Sequence, residues 1–139
     1  MPTDDSWTRL LKAPRSHAGD LTRPAIPQLP GVYAWFRDDE CVYVGLAGTS
    51  LRSRLSAHLA TTTDLSRSTL RATVAVHQLG VTRATARSRP PILTTDEVGV
   101  VNEWLRACDV AWLACPTRLA AVALEKTLRE TRLPRLNLV

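Results

Sequence analysis

Five side chains stand where they could handle a phosphodiester. Tyr33 and Tyr43 each lie in a short apolar run, Arg54 and His58 follow four residues apart, and Glu125 is the only acid between Asp109 and Glu130. Cutting a phosphodiester takes a cation or cationic side chain on the non-bridging oxygens, an activated water and stabilisation of the leaving oxygen. The planar, permanently charged guanidinium of Arg54 suits the scissile phosphate. Phenol hydroxyls and an imidazole move protons, and base duty stays open among Tyr33, Tyr43 and His58. A single carboxylate is a poor zinc site. It suits magnesium or manganese, which take oxygen ligands and keep most of their waters, and Glu125 is the expected ligand. Each residue also has an ordinary reading. Strands favour tyrosine, a helix-edge histidine is commonly structural, and Arg129 is an i+4 partner for Glu125.

The elements that must position these groups are legible. Gly31–Arg37 and Glu40–Gly45 flank Asp38-Asp39 and read as a hairpin. Period-two alternation puts Val32, Ala34 and Phe36 on one face and Tyr33, Trp35 and Arg37 on the other; in the second strand Cys41, Tyr43 and Gly45 alternate with Val42 and Val44. Thr49 or Ser50 caps a helix starting near Leu51, with Leu51, Leu55 and Leu59 buried, which sets Arg54 and His58 on one flank and Arg52 on the other. A second helix is expected over residues 65–79, stopped by Gly80. Residues 81–93 read as an exposed basic loop. Thr94 and Glu97 form a capping box for a helix reaching Ala107, with Val98, Val101, Trp104 and Leu105 buried. Val110–Cys115 is a strand apolar on both faces, and Thr117–Arg129 a last helix with Ala121, Leu124 and Leu128 inward. The expected fold is α+β: a three-stranded antiparallel sheet, hairpin plus one strand, flanked by about four helices.

Composition narrows the functions. The chain has 139 residues and a net charge of +5, enough for one compact domain. Residues 51–90 hold seven arginines (52, 54, 67, 71, 83, 87 and 89) against one acid, Asp64; the other eleven basic residues face twelve acids, so the excess charge is confined to this segment. Such a patch is either a solvated surface or a polyanion-binding face with salt-dependent affinity. Arg52, Arg67, Arg71, Arg83, Arg87 and Arg89 are the candidates for nucleic-acid contact. No apolar run approaches a membrane span, and the N-terminus lacks a signal-peptide core, so the chain reads as cytoplasmic. Cys41, Cys108 and Cys115 show no C-x-x-C spacing and read as reduced core residues. Residues 1–30 carry five prolines and read as an extended lead-in, with Trp7, Leu10 and Leu11 able to dock as a short amphipathic turn.

The ordered set Gly31-Val32-Tyr33, Tyr43-Val44-Gly45, Arg54, His58, Glu125 and Asn137 resembles the GIY-YIG nuclease family across residues 31–139. The resemblance implies a one-metal, Mg2+- or Mn2+-dependent endonuclease acting on duplex or branched DNA. It also implies that Tyr33 serves as the base, either as a phenolate or by relaying a proton to a neighbour, with 5′-phosphate and 3′-hydroxyl products. Asn137, uncharged and in an apolar tail, is expected to turn toward the hairpin and hold the site in shape. No separate sequence-reading domain is visible, so specificity would come from the basic loop, the N-terminal segment, a homodimer or a partner protein. The rival expectation is a catalytically inactive nucleic-acid-binding module on the same scaffold.

Overall fold

In a computed structural model that describes residues 5–138, the chain forms three layers around an antiparallel sheet. The strands are β1 (Ser16–His17), β2 (Gly31–Arg37), β3 (Glu40–Ala47) and β4 (Asp109–Ala114), in the order β1-β4-β2-β3. The helices are α1 (Ser6–Lys12), α2 (Leu51–His58), α3 (Thr69–Leu79), α4 (Arg83–Ala86), α5 (Thr95–Arg106) and α6 (Arg118–Thr131). The α+β class is as expected. The elements beyond expectation are the two-residue β1, paired to β4, the four-residue α4, and α1, foreseen only as a turn.

β2 is the centre of the molecule. It pairs with β3 on one side and β4 on the other, and all of Gly31–Phe36 is buried. Its alternation feeds two cores rather than one. Val32, Ala34 and Phe36 pack with Val44, Ala111, Trp7, Leu10 and Leu128 under α1 and α6. Tyr33 and Trp35 face α2, α3 and α5, among Leu51, Leu55, Leu70, Val101 and Leu105. Asp38 and Asp39 both take positive φ, 51° and 67°, as a two-residue type I′ hairpin turn requires.

The helix boundaries follow their caps. Ser50 caps α2 and Ser68 caps α3, so α3 starts at Thr69 rather than at Leu65; Gly80, at φ 71°, ends it in the left-handed region. The Thr94/Glu97 capping box is complete, and Val98, Val101, Trp104 and Leu105 are all buried. Thr117 caps α6, with Ala121 and Leu128 buried and Leu124 partly so. The lead-in is structured rather than extended: α1 docks through Trp7, whose Nε1–H donates to Leu128 O at 2.8 Å, and Ile26 is buried. Among the described residues no helix is long and apolar enough to cross a membrane. All three cysteines are free, Cys108 and Cys115 buried.

Candidate active site

A bulge in β3 and a glycine opposite Tyr33 build the tyrosine pair. Trp35 pairs with Tyr43 and Phe36 with Cys41, which leaves Val42 as the extra residue. The strict alternation expected for this strand therefore breaks: Val42 and Tyr43 join the α2/α3 side, and Cys41 packs with Phe36 on the other. Tyr33 pairs with Gly45. A Cβ on Gly45 would lie 2.4 Å from both Cζ and the hydroxyl oxygen of Tyr33, so the phenol ring occupies the space a side chain would need. Gly31 is equally constrained, by Leu113 O at 2.4 Å from its would-be Cβ. Both motif glycines thus keep the sheet and its tyrosine in place.

His58 sits behind Tyr33. The Tyr33 hydroxyl is 2.6 Å from His58 Nε2, and His58 Nδ1 is 2.6 Å from Ser68 Oγ. The ring centroids of Tyr33 and Tyr43 are 6.3 Å apart, and those of Tyr33 and Tyr43 lie 5.4 and 6.4 Å from His58. His58 has 0% exposure, so the expectation that it reaches a ligand beside Arg54 is corrected: α3 closes over it, and it reaches Tyr33 instead. Burial, reinforced by the charges of Arg54 and Arg71, lowers its pKa to about 3 and keeps it neutral.

Tyr33 is neutral as well. Burial pushes its pKa up, Tyr43 adds to this, and the nearby Arg54 guanidinium pulls down by less; Glu125 also pushes up. An arginine-stabilised phenolate is therefore not the resting state, because desolvation outweighs Arg54. Tyr43 is raised too, mainly by burial, and senses Arg54, Arg129, Glu125 and Arg83. Glu125 keeps its ordinary partner, Arg129 Nη1 at 3.4 Å, while its charge acts on both tyrosines. Asn137 turns toward the hairpin, as expected, and binds its backbone. Its Oδ1 accepts from Val44 N and its Nδ2 donates to Val44 O, both at 2.8 Å, which fastens the tail to the outer edge of β3.

Two clefts flank α2. The first, of about 360 Å3, is lined by Arg54, Ser53, the loop Gly48–Ser50 and Arg118. Arg118 was not singled out from the sequence. It stands on the first turn of α6 with its guanidinium against Gly48, where a Cβ would meet Nη1 at 2.8 Å. The one signal was its place, since a cation is disfavoured at a helix N-terminus and needs another reason to be there. The second cleft, of about 530 Å3, is bordered by Arg23, Ser53, Asp64, Arg67, Ser68 and the buried Arg71, among others.

The other arginines divide. Arg67 is exposed. Arg71, expected on a nucleic-acid face, is 1% exposed instead; it donates to Thr62 O at 2.7 Å, Asn102 Oδ1 at 2.9 Å and Asp64 O at 3.3 Å. Three oxygen acceptors converge there and draw the guanidinium inward. Arg52 Nε donates to Ile26 O at 2.8 Å. In the basic loop Arg87 and Arg89 are exposed, as expected, but the loop is anchored: Arg83 donates to Thr73 Oγ1, Arg87 to Ser66 O, and Arg89 lies 4.0 Å from Asp64.

Among the described residues no group of three or more His, Cys, Asp or Glu side chains converges. Glu125 is a single carboxylate whose charge reaches both tyrosines. It fits a hard cation that keeps most of its waters and does not fit a zinc cage. No curated protein and no solved structure matches the chain. Residues 31–139 match the family model described as the GIY-YIG catalytic domain. With the paired tyrosines, the two motif glycines and the last-helix carboxylate arranged on that stretch, the chain belongs to the GIY-YIG family, whose fold is that of a nuclease.

Proposed function

We propose that this protein is a DNA endonuclease dependent on one Mg2+ or Mn2+ ion. The observation that supports the reading is that Tyr33 and Tyr43 both feel the charges of Arg54 and Glu125, with His58 hydrogen-bonded behind Tyr33. Arg54 holds the scissile phosphate from the first cleft, with Arg118 across that cleft on a neighbouring phosphate. Glu125 would hold the cation, which supplies charge stabilisation at the phosphate and the leaving oxygen. Tyr33 works as a neutral hydroxyl: it takes the proton of the attacking water as its own proton passes to His58 Nε2. Of the two modes implied for Tyr33, relay rather than phenolate fits its burial. Tyr43, half-buried, borders the phosphate. Asn137 supports the edge strand and touches no reacting atom.

Plasmid nicking with and without Mg2+ tests the proposal. The parent should nick only with the metal, Glu125→Ala should bind DNA and not cut, and Tyr33→Phe should lose at least about a hundredfold in rate while staying folded. Parental cutting by Glu125→Ala removes it from the site. Salt-sensitive DNA binding by a parent that never cuts would leave the inactive binding module.

A further inference from the structure

The proton taken up at Tyr33 has to leave a pocket that holds no charge easily. We propose that Ser68 completes a relay, Tyr33–His58–Ser68, which carries this proton across α2 and releases it into the second cleft, away from the phosphate. The inference rests on the nuclease reading for its use, but its geometry stands separately.

Donors and acceptors set the direction. A bare imidazole nitrogen is a better acceptor than a phenol oxygen, and a phenol O–H a better donor than an imidazole N–H, so between the two the phenol donates. The Tyr33 proton then points at His58 Nε2, 2.6 Å away. A bare Nε2 puts the imidazole proton on Nδ1, which donates to Ser68 Oγ at 2.6 Å. That oxygen also accepts Arg71 N–H at 3.0 Å. Accepting both bonds leaves the Ser68 O–H free to donate, and Ser68, 1% exposed, borders the second cleft.

The step balances. As the water oxygen bonds to phosphorus, the P–O3′ bond breaks and the leaving 3′-oxygen takes up a proton from solvent, while the water's proton passes to the Tyr33 oxygen and Tyr33's own proton to Nε2. The Nδ1 proton passes to Ser68 Oγ, and the Ser68 proton to a cleft water. One proton enters and one leaves; Tyr33, His58 and Ser68 all end neutral, with His58 in the other tautomer. Everything around His58 opposes a resident charge: Arg54 on its own helix, Arg71 on α3, Arg106 of α5 nearby, and only uncharged Tyr33, Trp35 and Tyr43 from the sheet. Passing the proton on is the course this setting leaves open. Ser68 is a positioning and relay residue, not one that touches substrate.

The tautomer decides the matter without any catalysis. In 15N NMR of the whole protein at neutral pH, His58 should carry its proton on Nδ1, with Nε2 bare. A proton on Nε2 would reverse the chain and overturn the relay, whether or not the protein cuts DNA. Kinetics give the second arm. The cleavage rate should bend with D2O fraction, as several protons move together. Ser68→Ala should cut at least about tenfold more slowly with a shallower bend, since only the two transfers at Tyr33 remain, and Ser68→Thr, which keeps the hydroxyl, should restore the parental curvature. Because Ser68 also caps α3, a uniformly slower Ser68→Ala that keeps the full parental curvature would mark a purely structural role and refute the proposal. A parent that shows the Nδ1 tautomer and no cleavage would sink the nuclease reading and leave the relay geometry standing.

Discussion

Replacing Gly45 with alanine offers a sharp test of how the site is built, because its cost can be worked from the structure. The new Cβ would stand 2.4 Å from Tyr33 Cζ and Oη and 2.8 Å from Cε2, against an ordinary carbon contact of roughly 3.5–4.0 Å. The ring must move by about 1 Å or more. β2 cannot follow it, since ladders on both sides hold the strand. Overpacking of this kind costs about 1–3 kcal/mol, and losing the Tyr33–His58 hydrogen bond with its partner still buried about 1–3 more. The total, roughly 2–6 kcal/mol, corresponds to a fall in Tm of about 6–18 °C for a chain of this size. A 1 Å displacement of the proton-accepting hydroxyl should also cost about a hundredfold in cleavage. Gly99→Ala is the matched control. It sits in α5 with nothing within 4 Å of its would-be Cβ, so the same chemical change should stabilise by about 0.5–1 kcal/mol. Thermal unfolding and plasmid nicking of both variants settle the point. A Gly45→Ala protein with parental Tm and rate would show that Tyr33 does not lie across residue 45.

Other expectations follow from the same contacts. Asn137→Ala removes both bonds to Val44 and should cost about 1–3 kcal/mol in denaturant unfolding; no loss would mean the tail is not fastened. His58 stays neutral in the folded protein down to about pH 3, whereas unfolded histidine protonates below about 6.5. The unfolded state therefore binds the extra proton between those values, and stability should fall by about 1.4 kcal/mol per pH unit as pH drops through that window. A His58→Gln protein should show a flatter curve there, and an unchanged slope would refute the assignment. Arg118→Ala and Arg67→Ala should each reduce the salt dependence of DNA binding, while Arg71→Met should lower stability and leave that slope alone. A flattened slope in Arg71→Met would mean that the buried guanidinium reaches the backbone after all.

How much was legible depended on whether a feature is local. The α5 cap and its four buried residues, the two faces of β2 and the left-handed stop at Gly80 are written in short-range patterns, and the fold honours them. The β3 bulge was hidden, because Val42 continues an apolar alternation and nothing nearby marks it as the extra residue. The burial of Arg71 depends on acceptors up to thirty-one positions away, Asn102 among them, which no helical wheel contains. Ser68 was invisible for the same reason: a serine ten residues past a histidine means nothing until α3 folds over α2. Glu125, by contrast, stood out through the family resemblance, and its pairing with Arg129 coexists with a charge that reaches the tyrosines.

The docking of α1 has a practical consequence. Trp7 bonds to the end of α6, the Arg132 guanidinium stacks 4.6 Å above its ring, and Leu10 is completely covered. A fragment cut at Gly31 would keep the whole stretch that matches the family and still bare one greasy side of its sheet. Anyone grafting this unit onto a targeting protein should therefore carry the segment from Ser6 onward, or expect a sticky, short-lived product.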